Sequence, residues 1–245
     1  MSDLLRDKVV LVTGSSRGLG KTIARRYLEE GARVIITSQQ SDELDQAAEE
    51  LKRASDQLRK VVADITDDSQ AKKLVDSAIQ EFGQIDILIN NAGVFKGGEI
   101  DQMDVKDFEL TFNVNVKGAF LVTRHAVAQM KKQKSGQIVN ICSIGSKLGM
   151  EKLSAYCASK AALARFGDSL KAELKPYNIR VTNVMPHAMN TMGKNIDPDS
   201  DDRRKMIEPD DVADAIIAIT SAEDYVQYQD ITIFPKSTKL TKTEE

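Results

Sequence analysis

Apolar residues fall along this chain in short unbroken runs, and between the runs lie longer stretches where they recur at helical spacing. Val9-Val10-Leu11-Val12 predicts a buried strand, and the periodicity after it predicts a helix from about Gly18 to Glu30, ended by Gly31. Val34-Ile35-Ile36 predicts a second strand, a charged helix follows from about Asp42 to Arg53, and Val61-Val62-Ala63 predicts a third strand. A helix through Leu74, Ala78 and Phe82 leads into a strand at Ile85-Asp86-Ile87-Leu88-Ile89. Later strands are predicted at Gln137–Ile141, Ile179–Val184 and Ile231–Phe234, with long helices near Asn113–Met130 and Ser154–Lys175.

Runs without in-and-out alternation suit strands covered on both faces. Their alternation with helices implies right-handed crossovers, hence one α/β domain over residues 1–245 with a doubly wound parallel sheet and helices on both faces. Two segments stand apart. Gly193–Pro209 is acidic and rich in breakers, which predicts a mobile substrate loop, and Lys236–Glu245 is a polar tail that needs a partner subunit to order it.

Composition narrows the functional classes. A chain of 245 residues with 41% hydrophobic and 29% charged residues can bury a full core. A net charge of -3 gives no long-range attraction for nucleic acid or anionic lipid. The cysteines, Cys142 and Cys157, form no CxxC, and the histidines, His125 and His187, lie far apart, so neither a disulfide framework nor a metal site is expected. No stretch approaches the ~20 apolar residues of a membrane helix. With no signal-peptide pattern at its start, the cytoplasm is the expected compartment. Lys131, Lys132 and Lys134 read as a solvated helix end.

The candidate chemistry begins after the first strand, at Thr13-Gly14-Ser15-Ser16-Arg17-Gly18-Leu19-Gly20. Glycines permit a tight turn and close backbone approach, and the helix that follows offers free N–H groups to a pyrophosphate. The spacing, G-x-x-x-G-x-G, departs from the commoner G-x-G-x-x-G. The same residues match G-x-S-x-G, which would make Ser16 a hydrolase nucleophile. That elbow would follow the very first strand, with no HGGG run before it, and an ester assay would test it.

The second strand ends in Thr37-Ser38-Gln39-Gln40, with no acid until Asp42. NAD selectivity normally places a carboxylate there for the ribose 2'-hydroxyl, and an acid would repel a 2'-phosphate. Arg17 supplies a cation, and Ser38 and Gln39 supply hydrogen bonds, so NADP(H) is expected ahead of NAD(H), which stays open.

Tyr156 and Lys160 share one helix face, and Ser143 lies upstream just past a strand. A free phenol has a pKa of about 10, too high for proton exchange near neutrality. An ammonium ~5 Å away, at an effective dielectric of ~20, would favour phenolate by about 3 kcal/mol, roughly 2 pKa units. Tyr156 then serves as general acid/base while Ser143 positions the substrate oxygen. Cys142 reads as a small packing residue. A dinucleotide-binding regulator without chemistry is the alternative, and the intact Ser143, Tyr156 and Lys160 speak against it.

With Asn90-Asn91-Ala92-Gly93 after the fourth strand, Asn115 in a helix, Ser143 and Tyr156-Cys157-Ala158-Ser159-Lys160, the chain resembles the short-chain dehydrogenase/reductase family over nearly its whole length. The resemblance implies a Rossmann-type sheet and a hydride exchanged between nicotinamide and a carbonyl or alcohol. It implies that Asp64 binds the adenine amino group beside the Ile65 backbone, and that Asn91, Ala92 and Gly93 line the adenosine ribose. Pro186–Thr191 is similar to the family's Pro-Gly-x-x-x-Thr segment, so Met189 and Thr191 would meet the nicotinamide, with His187 in place of the glycine. A partly exposed loop side chain is the plainer expectation for His187. Lys160 would also hold the nicotinamide ribose, and Asn115 a water on the proton path.

Members resembling this chain reduce 3-oxoacyl thioesters on acyl carrier protein, and the Lys131–Lys134 cluster could face such an acidic carrier. Ile231–Pro235 lacks the usual Gly-Gly turn, however, and points instead to small ketones, alcohols or hydroxy acids. A homodimer or homotetramer is implied, with Asn113–Met130 and Ser154–Lys175 at the interfaces.

Overall fold

A computed structural model describes residues 5–52, 57–190 and 206–236. The first half alternates strand and helix: β1 (Val9–Thr13), α1 (Gly18–Glu29), β2 (Arg33–Ser38), α2 (Ser41–Lys52), β3 (Leu58–Val62), α3 (Asp68–Phe82) and β4 (Ile87–Asn90). The second half follows with α4 (Val105–Phe112), α5 (Ala119–Gln133), β5 (Gly136–Ile141), α6 (Ser154–Leu174), β6 (Ile179–Pro186), α7 (Pro209–Thr220) and β7 (Asp230–Ile233). All pairings are parallel, in the order β3-β2-β1-β4-β5-β6-β7. This is the doubly wound, Rossmann-type sheet that the alternation predicts.

Successive residues of β1 feed two different cores. Val10 and Val12 pack with Ile23 and Tyr27 of α1 and Val212 and Ile216 of α7. Val9 and Leu11 pack with Leu74 and Ala78 of α3, Val122 of α5 and Leu174 of α6. The sheet is thus covered on both faces at its centre, which is why the central runs are apolar without alternation. Its edges differ. Arg59 and Lys60 of β3 are exposed, and no residue of β7 is fully buried. An edge strand needs less apolar cover, so β3 starts before the predicted Val61, and β7 is displaced by one residue to Asp230–Ile233. β4 likewise starts at Ile87 rather than Ile85 and runs on to Asn90.

The predicted helix near Asn113 begins earlier. Asp104 caps α4 by accepting from the Lys106 N–H (2.8 Å), and a π-helical turn at Asn113–Gly118 joins α4 to α5 in one rod. Positions 191–205 and 237–245 lie outside the described residues, and with them most of the predicted loop and tail, and Thr191. The end of that loop is anchored rather than mobile. Ile207 is buried, its N–H donates to the Ala188 carbonyl (3.0 Å), and Pro209 opens α7. Among the described residues no helix is long and apolar enough to cross a membrane.

Candidate active site

Strand connections leave β1 and β4 in opposite directions, and the crevice above their C-terminal ends is where open α/β sheets bind ligands. Two clefts meet there. One, of about 450 Å³, holds Ser16, Arg17, Ser38, Gln39, Asp64 and Ile65. The other, of about 520 Å³, holds Ser143, Tyr156, Lys160, His187 and Met189. Leu19, Asn91, Gly93 and Val94 line both, so the two form one elongated track.

The glycine-rich turn is tied to its neighbours by backbone and hydroxyl groups. Gly14 has φ +61, and a Cβ there would stand 2.7 Å from the Ala92 Cα, so only glycine lets the two chain segments touch. Ser15 Oγ donates to the Val12 carbonyl (2.7 Å) and accepts from the Thr37 N–H (2.8 Å), fastening the turn to β2. Asn91 Nδ2 donates to the carbonyls of Thr13 (2.9 Å) and Gly14 (2.9 Å). Asn91 therefore shapes the end of β4 with the side chain that the resemblance assigns to ribose. α1 starts after Arg17 without a side-chain cap, while Gly18, Leu19 and Gly20 form its first turn. Uncapped N–H groups at a helix start, with Leu19 and Gly20 on a cleft, suit the pyrophosphate of a dinucleotide.

Asp64 Oδ1 accepts from the Thr66 N–H (2.9 Å) and hydroxyl (2.8 Å), which fixes the carboxylate at the cleft's floor. At the lip, Ser38 Oγ accepts from the Gln40 N–H (3.1 Å) and keeps its own proton to donate. Sequence reading missed one residue here. Glu43, in the first turn of α2, also lines this cleft; its Oε2 accepts from Ser16 Oγ (3.2 Å) and its Oε1 lies 3.8 Å from Arg17 Nη1. The available signal was helical phase: an acid three residues into a helix reaches back across the turn before it.

At the other end Tyr156 stands on α6, one turn before Lys160. The phenol and the Ser143 hydroxyl line the same cleft, and the phenol ring meets the Phe95 ring edge-on, with centroids 4.8 Å apart. Burial pushes the phenol above its ordinary value of 10.0, and the Ser143 hydroxyl pulls the other way. The lowering expected from Lys160 is not found: desolvation outweighs the one opposing influence, that of the Ser143 hydroxyl. The ammonium is itself buried, which lowers its pKa, and it donates to the Ile141 carbonyl (2.7 Å). Asn115 Oδ1 accepts from the Val94 N–H (2.8 Å), while its Nδ2 donates to the Val94 carbonyl (3.1 Å) and to Ser159 Oγ (3.0 Å). Its amide thus braces the cleft wall against α6.

Beneath these residues runs a second feature that the sequence did not reveal. Asn90, Asn140 and Asn183 lie in register on β4, β5 and β6. Asn90 Nδ2 donates to Asn140 Oδ1 (2.9 Å) and Asn140 Nδ2 to Asn183 Oδ1 (3.0 Å). Asn183 Nδ2 continues to the Ala164 carbonyl of α6 (3.1 Å). A Cβ at Gly167 would collide with Asn183 Oδ1 and stand 2.6 Å from Asn140 Nδ2, so this glycine lets α6 rest on the ladder. The helix that carries Tyr156 and Lys160 is thereby positioned on the sheet.

His187 stacks on Phe234 (5.4 Å between centroids), and its Nδ1 is buried with no hydrogen-bond partner among the described residues. Burial raises the Cys142 thiol to about 12, in keeping with a packing role. Ser16 is not assembled as a nucleophile. Its hydroxyl meets Glu43, whereas His125 pairs with Asp68 (2.8 Å) and His187 stacks on Phe234. The lysine cluster precedes β5 and Ser143 follows it, so the two lie at opposite ends of that strand, and Lys131 is paired with Glu173 (3.4 Å). Among the described residues no group of His, Cys, Asp and Glu could hold a metal ion.

Comparison with known proteins gives a consistent picture. The family model described as short chain dehydrogenase matches residues 8–201. An uncharacterized oxidoreductase of Staphylococcus saprophyticus is 34% identical over 236 residues, covering 94% of this chain and 98% of its own. A metagenomic short-chain oxidoreductase solved in complex with NADP is 29% identical, with a TM-score of 0.83 over 96% of this chain and 100% of that one. An actinorhodin polyketide ketoreductase with NADPH is 27% identical, with a TM-score of 0.85 over 94% and 96% of the two chains.

Proposed function

This chain belongs to the short-chain dehydrogenase/reductase family of oxidoreductases, and we propose that it interconverts a ketone and a secondary alcohol with NADP(H), using Tyr156 as general acid/base. The carrying observation is that the Tyr156 phenol, the Ser143 hydroxyl and the Lys160 ammonium line one cleft that runs on into a cleft shaped for a dinucleotide. A bound nicotinamide dinucleotide would supply or take up the hydride.

The chain's own groups do the rest. In the reductive direction Tyr156 gives its proton to the substrate oxygen as the carbon is reduced, and in the oxidative direction it takes the proton back. Ser143, on the same cleft as that phenol, holds the substrate oxygen at the same point. Lys160 uses one N–H on Ile141 and has donors left for the nicotinamide ribose hydroxyls. Met189 flanks the nicotinamide end, while Gly14, Gly18, Leu19 and Gly20 hold the pyrophosphate. Arg17, Ser38 and Gln39 favour the 2'-phosphate, with NAD(H) as the weaker alternative; two similar proteins of solved structure carry NADP or NADPH.

Phe95, Ile144, Met150, Leu153 and Met206 make the substrate wall apolar, which favours an uncharged ketone over a hydroxy acid. The exposed side chains of Val105, Phe108 and Phe120 on the α4–α5 rod support a homodimer or homotetramer.

A panel of ketones, hydroxy acids and a 3-oxoacyl thioester, followed through the absorbance of the reduced nicotinamide with NADPH and with NADH, tests this assignment. Turnover of an apolar ketone, faster with NADPH, is the expected result. Absence of turnover with every carbonyl, or a clear preference for NADH, would contradict it.

A further inference from the structure

Two donors at the adenosine end already share an anion that belongs to the protein. The Glu43 carboxylate bridges them, one oxygen on the Ser16 hydroxyl and the other beside the Arg17 guanidinium. Ser16 and Arg17 lie 27 and 26 positions before Glu43, so the bridge is tertiary rather than local to α2. All three residues line the same cleft as Ser38 and Gln39, at the end of β2 where the ribose 2' position comes in this class of sheet. Leu44, the next residue, is fully buried, which fixes the start of α2 and keeps Glu43 at the lip.

We propose that Glu43 is a cofactor-selecting residue: it competes with the 2'-phosphate of NADP(H) for Arg17 and Ser16, and accepts the 2'-hydroxyl of NAD(H). The proposal rests on the dinucleotide assignment above. A 2'-phosphate brings ~2 negative charges at neutral pH and must displace the carboxylate from both donors, then sit beside it. A 2'-hydroxyl is neutral and displaces nothing, and a carboxylate is its usual acceptor. The chain therefore carries a device for each cofactor at one lip, and Glu43 narrows the preference that Arg17 creates. An acidic first turn also favours the dipole of α2, but Asp42 serves that end as well. The contact to Ser16 and Arg17 adds nothing to that dipole.

Arg17 and Glu43 are both exposed, with 83% and 45% of their side-chain surface accessible, so the competition is screened and tunes selectivity rather than dictating it. The measurement is fluorescence titration of NADPH and NADH onto the full chain, for wild type, Glu43→Gln, Arg17→Ala and the double variant. Glu43→Gln keeps a hydrogen-bond acceptor for Ser16 and removes the charge. It should tighten NADPH by roughly tenfold, about 1.4 kcal/mol, and leave NADH within about twofold. In the Arg17→Ala background the same change should gain NADPH less than about threefold, because the contested cation is gone. An unchanged ratio of the two affinities in Glu43→Gln, or an undiminished gain without Arg17, would overturn the role of Glu43 and leave the oxidoreductase assignment standing. A wild-type chain that binds neither cofactor would overturn both.

Discussion

At the adenosine end, the side chains at the lip of the cleft include Ser16, Arg17, Ser38 and Glu43, whose contacts face solvent. At the reactive end, Lys160, Asn115 and Ser143 are buried; Lys160 and Asn115 are each hydrogen-bonded to backbone of a neighbouring segment, and Ser143 Oγ accepts from the Gly145 N–H of its own turn. The outer end is thus held by contacts worth at most about 1 kcal/mol each. At the inner end a lost partner leaves a buried polar group unpaired, at roughly 1–3 kcal/mol. The difference separates two tasks. Proton transfer needs a phenol fixed to a fraction of an ångström, whereas choosing between cofactors needs only a modest, adjustable bias. The fold puts the first task on the asparagine ladder and the second on its surface.

Variants on either side of that divide can break or sharpen the contrast. Asn140→Ala strands Asn90 and Asn183 in the core, and it should cost about 3 kcal/mol in denaturant unfolding. Gly167→Ala pushes α6 off the same ladder, and about 2 kcal/mol is expected, with turnover of the folded fraction reduced as well.

Lys160→Met probes the buried charge through pH. Unfolded, the ammonium keeps its ordinary value of 10.5; folded, burial lowers it. Below the folded value both states are charged and the fold bears the full cost of burial. As pH rises through the folded value towards the unfolded one, the unfolded state holds more protons and that cost is relieved. The stability of Lys160→Met relative to wild type should therefore be most favourable at the low end of the pH range and decline as pH rises towards the unfolded value of 10.5. A constant difference would remove the buried charge from the account. Arg17→Ala, at the outer end, should change stability by less than about 0.5 kcal/mol. A loss as large as that of Asn140→Ala would erase the contrast altogether.

The two ends were not equally legible in the sequence. Tyr156 and Lys160 could be paired because helical spacing alone puts them on one face, and the glycine turn because its backbone needs show as residue type. The central strands were visible as apolar runs; β3 was half hidden because Arg59 and Lys60 face solvent on an edge. The ladder was not legible, since Asn90, Asn140 and Asn183 meet only through strand register, which no single run encodes. Glu43 is hidden because it lies beyond the end of β2, on the first turn of α2. The direction of the Tyr156 shift is hidden from the sequence for a related reason. A Coulomb estimate can be made from spacing, but desolvation depends on what Phe95 and the cleft wall place around the ring.

The central claim is that Tyr156 moves the proton beside a dinucleotide that other residues hold. The most direct test measures NADPH binding and ketone reduction together in Tyr156→Phe. The account predicts NADPH affinity within about threefold of wild type and a kcat lower by ~10²–10⁴-fold. Near-normal turnover, or a collapse of NADPH binding in a folded Tyr156→Phe protein, would contradict it.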